Sequence, residues 1–387
     1  MIKKIAILGS TGSIGKNLLD IINDDKKNFE VVLLTAKKNY KALLKQATNF
    51  KVKNIIIIDQ ESYKKAKQIN KNNKINIYND FTDFNKIFIS KIDYTMSSII
   101  GLDGLYPTLD IIKYTKTIAI ANKEAIICGW NLIKKKLDLY KTKFLPVDSE
   151  HFSIWKILKS QKIENIDQIF ITASGGPFLN KSINQIKNVK VSAALKHPNW
   201  KMGKKISIDS ATMMNKVFEV VETKNIFSVS YKKISILIHP KSYIHAIVKF
   251  NDGTSQFLTH EPSMKIPIFN TLYLNHSKKI KSKNLDIDIL NNLKLKKIDK
   301  NIFPVIKILE SLPSKSSLFE TVVVSANDQL VNLFINKKIN FHEISKNILK
   351  IINMIEFQKY KKIKPKYIKD IHILSEYVRL KVNSLCV

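Results

Sequence analysis

Lys3-Lys4-Ile5-Ala6-Ile7-Leu8-Gly9-Ser10-Thr11-Gly12-Ser13-Ile14-Gly15 stands at the start of the chain and decides its fold class. An apolar run of strand character leads directly into glycines at 9, 12 and 15, and these lead into a helical pattern over Lys16–Asn23. The glycines permit a tight turn and close approach of the backbone to a pyrophosphate. The helix N-terminus behind them supplies N–H groups and a favourable dipole. The spacing is Gly-x-x-Gly-x-x-Gly rather than the commoner Gly-x-Gly-x-x-Gly, so the strand–loop–helix context carries the reading of a dinucleotide site. A plain turn is the competing reading.

Outward from this stretch, the first ~145 residues alternate apolar strands with amphipathic segments. Strands are expected at Lys4–Leu8, Glu30–Thr35, Asn54–Ile58, Tyr94–Ser97 and Thr117–Ala121, a βαβ rhythm that predicts a doubly wound parallel sheet. The texture changes at Asp148. Ile169–Thr172, Ile234–Ile238, Ile244–Phe250 and Thr254–Thr259 read as a second sheet, the last two joined by a hairpin at Asn251-Asp252-Gly253. From about His276 to Lys300 the chain is Lys/Asn-rich and aperiodic, as a linker would be. From Ile302 onward the spacing is helical throughout.

Composition bounds the function. The chain has 387 residues and 44% hydrophobic content, enough for two or three domains with a sizeable core. No window approaches a membrane span. The N-terminus enters a strand at once, so neither a signal nor a transit peptide is expected, and Cys128 and Cys386 form no disulfide framework. A reducing cytoplasm fits. The net charge of +33 invites a nucleic-acid reading, but Arg379 is the one arginine among 65 basic residues. Phosphate and base recognition exploit arginine forks. The abundant lysine, asparagine and isoleucine look instead like drift toward A/T-rich codons. The charge would still steer anionic substrates.

The second predicted strand ends Leu34-Thr35-Ala36-Lys37-Lys38-Asn39. An NAD site usually carries an acidic residue there. Here two ammonium groups stand where a 2′-phosphate would lie, which favours NADPH. Ala121-Asn122-Lys123-Glu124 follows another strand at the same edge; an ordinary helix cap is its competing reading.

Leu145-Pro146-Val147-Asp148-Ser149-Glu150-His151 sets two carboxylates two residues apart. In an extended segment they project from one face and can converge on a hard cation, with Ser149 pointing elsewhere. Three further segments suit an anionic substrate. Ile171-Thr172-Ala173-Ser174-Gly175-Gly176-Pro177 ends a strand in a glycine turn that can cradle a phosphate. Ile208-Asp209-Ser210-Ala211-Thr212 reads as a helix start capped by Asp209 or Ser210, the helix continuing so that Asn215, Lys216 and Glu219 share adjoining parts of a face. An exposed polar stripe, continued by Glu222, is the bland alternative. Lys196-His197-Pro198-Asn199-Trp200-Lys201-Met202-Gly203 reads as a lid that excludes water, or as a surface loop with a packed Trp.

Together these segments resemble the 1-deoxy-D-xylulose 5-phosphate reductoisomerase family of isoprenoid precursor synthesis. The matching stretches are Gly9–Gly15, Ala121–Glu124, Leu145–His151, Ser174–Phe178, His197–Gly203, Ile206–Lys216 and Ile238-His239-Pro240, in family order and across essentially the whole chain. The combination of Asp-Ser-Glu-His with Asp-Ser-Ala-Thr-Met-Met-Asn-Lys is highly specific.

The resemblance implies an α/β protein with a Rossmann-like NADPH-binding domain over 1–147. An α+β catalytic and dimerisation domain follows over 148–275, with its lid at 174–205. A linker at 276–300 and a C-terminal helical domain at 301–387 complete the chain. It implies Mg²⁺ or Mn²⁺, with Co²⁺ as a third candidate, on Asp148, Glu150 and Glu219; all-oxygen ligands suit such hard ions. These three with Lys123 are the catalytic set. Substrate contacts fall on Lys123, Ser149, Glu150, Ser174, His197, Ser210, Asn215, Lys216 and Glu219. Cofactor contacts fall on Thr11, Gly12, Ser13, Ile14, Lys37, Lys38, Asn39, Asn122, Glu124 and Gly203. The implied reaction rearranges 1-deoxy-D-xylulose 5-phosphate to a branched aldehyde and reduces it to 2-C-methyl-D-erythritol 4-phosphate. The implied setting is a cytoplasmic homodimer acting on a small phosphorylated substrate, with no nucleic-acid or membrane partner.

The chain departs from the family pattern where Lys37 and Val217 replace glycines, Lys196 replaces an arginine and Asn327-Asp328 replaces Asn-Glu. None of these is in the metal set. The enzymatic alternative is another NADPH-dependent oxidoreductase of a small phosphorylated or acidic substrate, such as a semialdehyde dehydrogenase, which would need a nucleophilic cysteine; Cys128 has no motif for it. A basic scaffold protein and a degenerate paralogue are the remaining alternatives.

Overall fold

The computed structural model describes residues 2–70, 74–200, 202–274 and 278–386. Lys201 of the expected lid and residues 276–277 of the expected linker lie outside them. The chain forms two compact units: one of residues 1–125, 131–148 and 264–280, the other of 126–130, 149–263 and 281–387. The sequence divides the chain more finely. The segment around the helix Lys265–Leu272, expected with the catalytic domain, clusters with the first unit, where it packs on the helix Ser13–Asn23. The helical C-terminal segment clusters in one unit with the second sheet.

The first unit is built on seven parallel strands: β1 Lys3–Leu8, β2 Phe29–Ala36, β3 Asn54–Ile57, β4 Asn76–Tyr78, β5 Ile92–Ser97, β6 Thr115–Ile120 and β7 Lys143–Pro146. Their order is β4-β3-β2-β1-β5-β6-β7. The chain winds outward from β1 in one direction and then crosses to β5 and winds in the other. The carboxyl ends of β1 and β5 therefore flank the switch point where such folds bind ligands. Ile5, Ile7, Leu8, Leu33, Leu34 and Ile55 are wholly buried, as central strands covered on both faces require. The two edge strands are not among those expected: β4 is the short Asn-Ile-Tyr, and β7 is the four-residue Lys-Phe-Leu-Pro, ending in a proline that an edge tolerates.

The second unit contains a mixed sheet of order β11-β10-β8-β9-β12. Its strands are β8 Ile166–Ala173, β9 Ile234–Ile238, β10 Ile244–Phe250, β11 Ser255–Thr259 and β12 Lys296–Lys297. The β10–β11 hairpin falls where Asn251-Asp252-Gly253 places it. β12 and a short helix, Ile287–Asn291, lie inside the stretch expected to be an aperiodic linker. β12 joins an edge through main-chain pairing with Leu237 and Ile238, which asks nothing of its two exposed lysines. Beyond residue 302 every described element is helical. The helix Phe319–Ile335 is buried along most of its length, flanked by Phe341–Ile352 and Ile368–Cys386. The last of these turns Ile371, Leu374, Val378 and Val382 inward at helical spacing. Among the described residues no helix is long and apolar enough to cross a membrane.

Candidate active site

In the first unit the glycine loop follows β1 as the sequence predicts. The helix Ser13–Asn23 starts with no side-chain cap and no acidic residue in its first turn. Its first-turn N–H groups thus have no capping side chain, as an anion site requires, while the Gly12 N–H donates to the Gly9 carbonyl at 3.1 Å. Gly15 is needed for space: a Cβ there would sit 2.5 Å from the Ser10 Cα. Lys37, Lys38 and Asn39 follow β2 directly. Asn39 caps the helix Tyr40–Asn49 by accepting from the Ala42 N–H, and Lys37 pairs with Asp103 at 2.7 Å. Asn122 follows β6, is buried, and accepts from the Ala125 N–H at 2.5 Å while its amide donates to the Gly101 carbonyl at 2.8 Å. Glu124 accepts from the Gly101 N–H at 3.3 Å. The residues of this unit expected to contact the cofactor thus lie after β1, β2 and β6, and those after β2 and β6 bond to Gly101 and Asp103 in the loop after β5. Lys123, buried at the helix start, donates to the Asp148 carboxylate.

Asp148 ends the 131–148 segment of the first unit, and Ser149 opens the helix Ser149–Ile157. This corrects the extended reading of Asp148-Ser149-Glu150: the strand stops at Pro146, and Glu150 stands in the first helical turn. Ser149 does not point away from it, since its hydroxyl donates to Glu150 Oε2 at 2.5 Å. A second correction concerns 208–212. These residues end the helix Lys204–Thr212 instead of starting one, and Met213, with φ of 68°, turns the chain into the helix Met214–Phe227. A left-handed methionine is a costly joint, held by the packing around its buried side chain. The joint separates Ser210 on the first helix from Asn215, Lys216 and Glu219 on the second.

At the centre of this unit lies a buried charge cluster. The Lys216 ammonium donates to both Glu150 and Glu219, and Asn215 donates to Glu219 Oε1 at 2.5 Å. Each of the four carboxylate oxygens thereby has a donor. Burial pulls the Lys216 pKa down, but the two carboxylates outweigh it and hold the lysine above its ordinary value. Two glutamates drawn onto one buried cation form an oxygen-only donor set, the chemistry a hard divalent ion takes.

Beside it, Ser174 follows β8 and the chain turns through Gly175 and Gly176, with φ of 89° and 65°. A Cβ on Gly176 would lie 2.9 Å from the Ser210 carbonyl, so the glycine lets this turn close on the Ser210 helix. His197 Nδ1 accepts from the N–H groups of Asn199 and Trp200 at 3.1 and 3.0 Å. Its Nε2 therefore carries the proton and donates to Ser174 Oγ at 3.0 Å. Ser174 also accepts from the Gly176 N–H at 3.1 Å, so its oxygen takes two hydrogen bonds and its own O–H remains available to donate. Burial, then the Lys216 charge, lowers the His197 pKa to about 4, so the ring is neutral at pH 7. Gly203 precedes the Ser210 helix, and among the described residues nothing lies within 4 Å of where its Cβ would stand.

Three residues that shape this unit carried no assignment from the sequence. His151 Nε2 meets the Glu219 carbonyl at 3.0 Å and Thr223 Oγ1 at 3.1 Å, fixing the Glu219 helix. It stood inside the quoted motif, and that was its signal. His245 and His260 stack at 3.8 Å, with Trp200 edge-on to His245. A histidine within a strand or just past one has no local signature, so neither could be found from sequence.

Comparison with known proteins agrees with the geometry. Family profiles described as 1-deoxy-D-xylulose 5-phosphate reductoisomerase match residues 5–129, and two C-terminal profiles of the same name match 144–227 and 260–381. A 1-deoxy-D-xylulose 5-phosphate reductoisomerase of Pelagibacter ubique is 61% identical over the full length of both chains. One from Sulfurihydrogenibium is 40% identical over 92% of each. The solved structure of the Zymomonas mobilis enzyme in complex with NADPH superimposes with a TM-score of 0.88 at 31% identity, covering 100% of this chain and 99% of that one. A DOX-P reductoisomerase with NADPH, fosmidomycin and magnesium gives 0.90 at 30% identity, covering 99% and 98%.

Proposed function

We infer how this site works from the premise that the chain belongs to the 1-deoxy-D-xylulose 5-phosphate reductoisomerase family, and so performs the NADPH- and divalent-metal-dependent conversion of 1-deoxy-D-xylulose 5-phosphate to 2-C-methyl-D-erythritol 4-phosphate. The observation that carries the residue assignment is the buried cluster in which Lys216 gathers Glu150 and Glu219.

Asp148, Glu150 and Glu219 would hold the metal. They offer only carboxylate oxygens, and two of them already converge on a cation. When bound, the ion supplies Lewis acidity toward the substrate's carbonyl and hydroxyl oxygens. When bound, NADPH supplies the hydride. The uncapped Ser13–Asn23 helix suits its pyrophosphate through Thr11, Gly12, Ser13 and Ile14, and Lys37, Lys38 and Asn39 suit its 2′-phosphate. Asn122, Glu124 and Gly203 complete the cofactor set.

Lys123 orients Asp148 through their ion pair and gives a cationic donor to a substrate oxygen. Lys216 keeps Glu150 and Glu219 ionised and, freed from one of them, donates to substrate. Ser174, neutral His197, Ser210 and Asn215 bind the phosphate, which anchors a small flexible substrate and supplies binding energy remote from the reacting carbons. The segment that carries His197 and Trp200 is the lid that excludes water from it. Two copies form the working homodimer, and the cytoplasm is its setting. Cys128 is buried within the helix Lys123–Tyr140, so the cysteine chemistry of a semialdehyde dehydrogenase finds no exposed nucleophile there.

Titration with Mn²⁺ followed by paramagnetic resonance tests the metal assignment. Glu150→Gln and Glu219→Gln are expected to weaken binding at least tenfold, a loss of about 1.4 kcal/mol. Wild-type affinity in both variants would remove them from the metal set.

A further inference from the structure

The one arginine of a chain with 65 basic residues lies far in sequence from the site, in the helix Ile368–Cys386. Its fork is used at two points. Nη2 donates to Asp328 at 2.9 Å, and Nε donates to Ser375 Oγ at 3.4 Å. Ser375 in turn shares a 2.8 Å hydrogen bond with Ser325 on the same helix as Asp328. A lysine is a single point charge and cannot fill both places.

Asp328 does not end the chain of contacts. Lys205 bridges Asp328 and Asp209 at 3.0 Å each, with its ammonium also 5.3 Å from the Phe218 ring. The other oxygen of Asp209 accepts from the Asn327 amide at 2.7 Å. Two carboxylates, 3% and 8% exposed, are thus balanced by two cations. Asp209 is the residue before Ser210, one turn ahead of the left-handed Met213 joint that leads to Asn215 and Lys216. Charges this buried are costly when left unbalanced, so loss of one cation shifts the others. Without the arginine fork, Lys205 is drawn toward Asp328 and loosens its hold on Asp209.

We propose that Arg379 is a positioning residue for the phosphate end of the active site, acting through Asp328 and Lys205 on Asp209 to fix the helix that presents Ser210. This rests on the reading of Ser210 as a phosphate contact. It gives the C-terminal helices a part in substrate binding beyond covering the core. Coupling of this kind is established by double-mutant cycles rather than by proximity.

The test compares wild type, Arg379→Lys, Ser210→Ala and the double variant in steady-state kinetics with 1-deoxy-D-xylulose 5-phosphate and NADPH, with melting midpoints recorded beside them. Arg379→Lys keeps the charge and is expected to fold, raising the KM for substrate roughly fivefold while kcat and the KM for NADPH stay within about twofold. Ser210→Ala raises the same KM, and adding Arg379→Lys to it changes little more. Arg379→Gln, which also removes the charge, has the larger effect. A lowered melting midpoint with unchanged substrate KM in Arg379→Lys would make Arg379 merely structural and overturn the proposal, as would effects that simply multiply in the double variant. An unchanged KM in Ser210→Ala would withdraw Ser210 from the phosphate site, and the proposal with it.

Discussion

His197 and Lys216 are opposite solutions to the burial of a titratable group. His197 gives up its charge: burial and the Lys216 ammonium lower its pKa to about 4 from the 6.5 of a free imidazole. Between those values the unfolded chain binds a proton that the folded chain refuses. This contribution to stability is therefore complete above about pH 6.5 and is lost as pH falls toward about 4. The His197 Cε1 proton resonance should titrate near pH 4, and an inflection near 6.5 would contradict the neutral Nε2–H form. Lys216 keeps its charge by holding two buried carboxylates. Lys216→Met leaves them facing each other and should cost about 3 kcal/mol in metal-free protein. Part of that loss should return on adding Mg²⁺. Chemical denaturation measures it, and an unchanged midpoint would mean the cluster bears no load.

At the scale of elements, Gly15→Ala forces a Cβ to within 2.5 Å of the Ser10 backbone. NADPH affinity should fall roughly tenfold or more, about 1.4 kcal/mol, by fluorescence titration; an unchanged Kd would show that the loop tolerates the shift. Val217, where the family has glycine, is wholly buried within a helix. Restoring glycine there removes buried apolar surface and adds backbone entropy, so Val217→Gly should destabilise the protein by about 3 kcal/mol. These positions also mark what the sequence could tell. The buried central strands announced themselves, as did the β10–β11 turn and the C-terminal helical spacing. The edge strands β4 and β12 did not, because main-chain pairing at an edge needs no apolar pattern, and β7 was missed because it is four residues long and ends in proline. The two misread helix boundaries share a cause. Asp and Ser favour caps, but Ser149 begins a helix only two residues after a strand ends, and the break at Met213 is imposed by tertiary packing on a residue with no turn propensity. The glycine loop after β1 and the Asp148–His151 stretch stood out because their residues are contiguous. The Lys216 bridge, the histidine stack and the Arg379 network join residues far apart in sequence, and nothing local encodes them.

At the scale of the whole molecule, the charge of +33 is carried almost entirely by lysine. A field of that sign raises the encounter rate with a phosphorylated substrate and is screened over about 10 Å at 0.1 M salt. The value of kcat/KM should therefore fall as ionic strength rises, with kcat nearly constant; salt independence would show that the lysines serve only solubility. The account as a whole turns on one reaction at one set of carboxylates. Its most direct test follows NADPH absorbance with purified protein and 1-deoxy-D-xylulose 5-phosphate, with Mg²⁺ or Mn²⁺, again with a chelator, and beside an Asp148→Asn variant. We predict oxidation that needs both substrate and metal and that the variant largely loses. Undiminished oxidation in the chelated enzyme or in Asp148→Asn would contradict the metal site, and no oxidation by folded, NADPH-binding wild type would contradict the function itself.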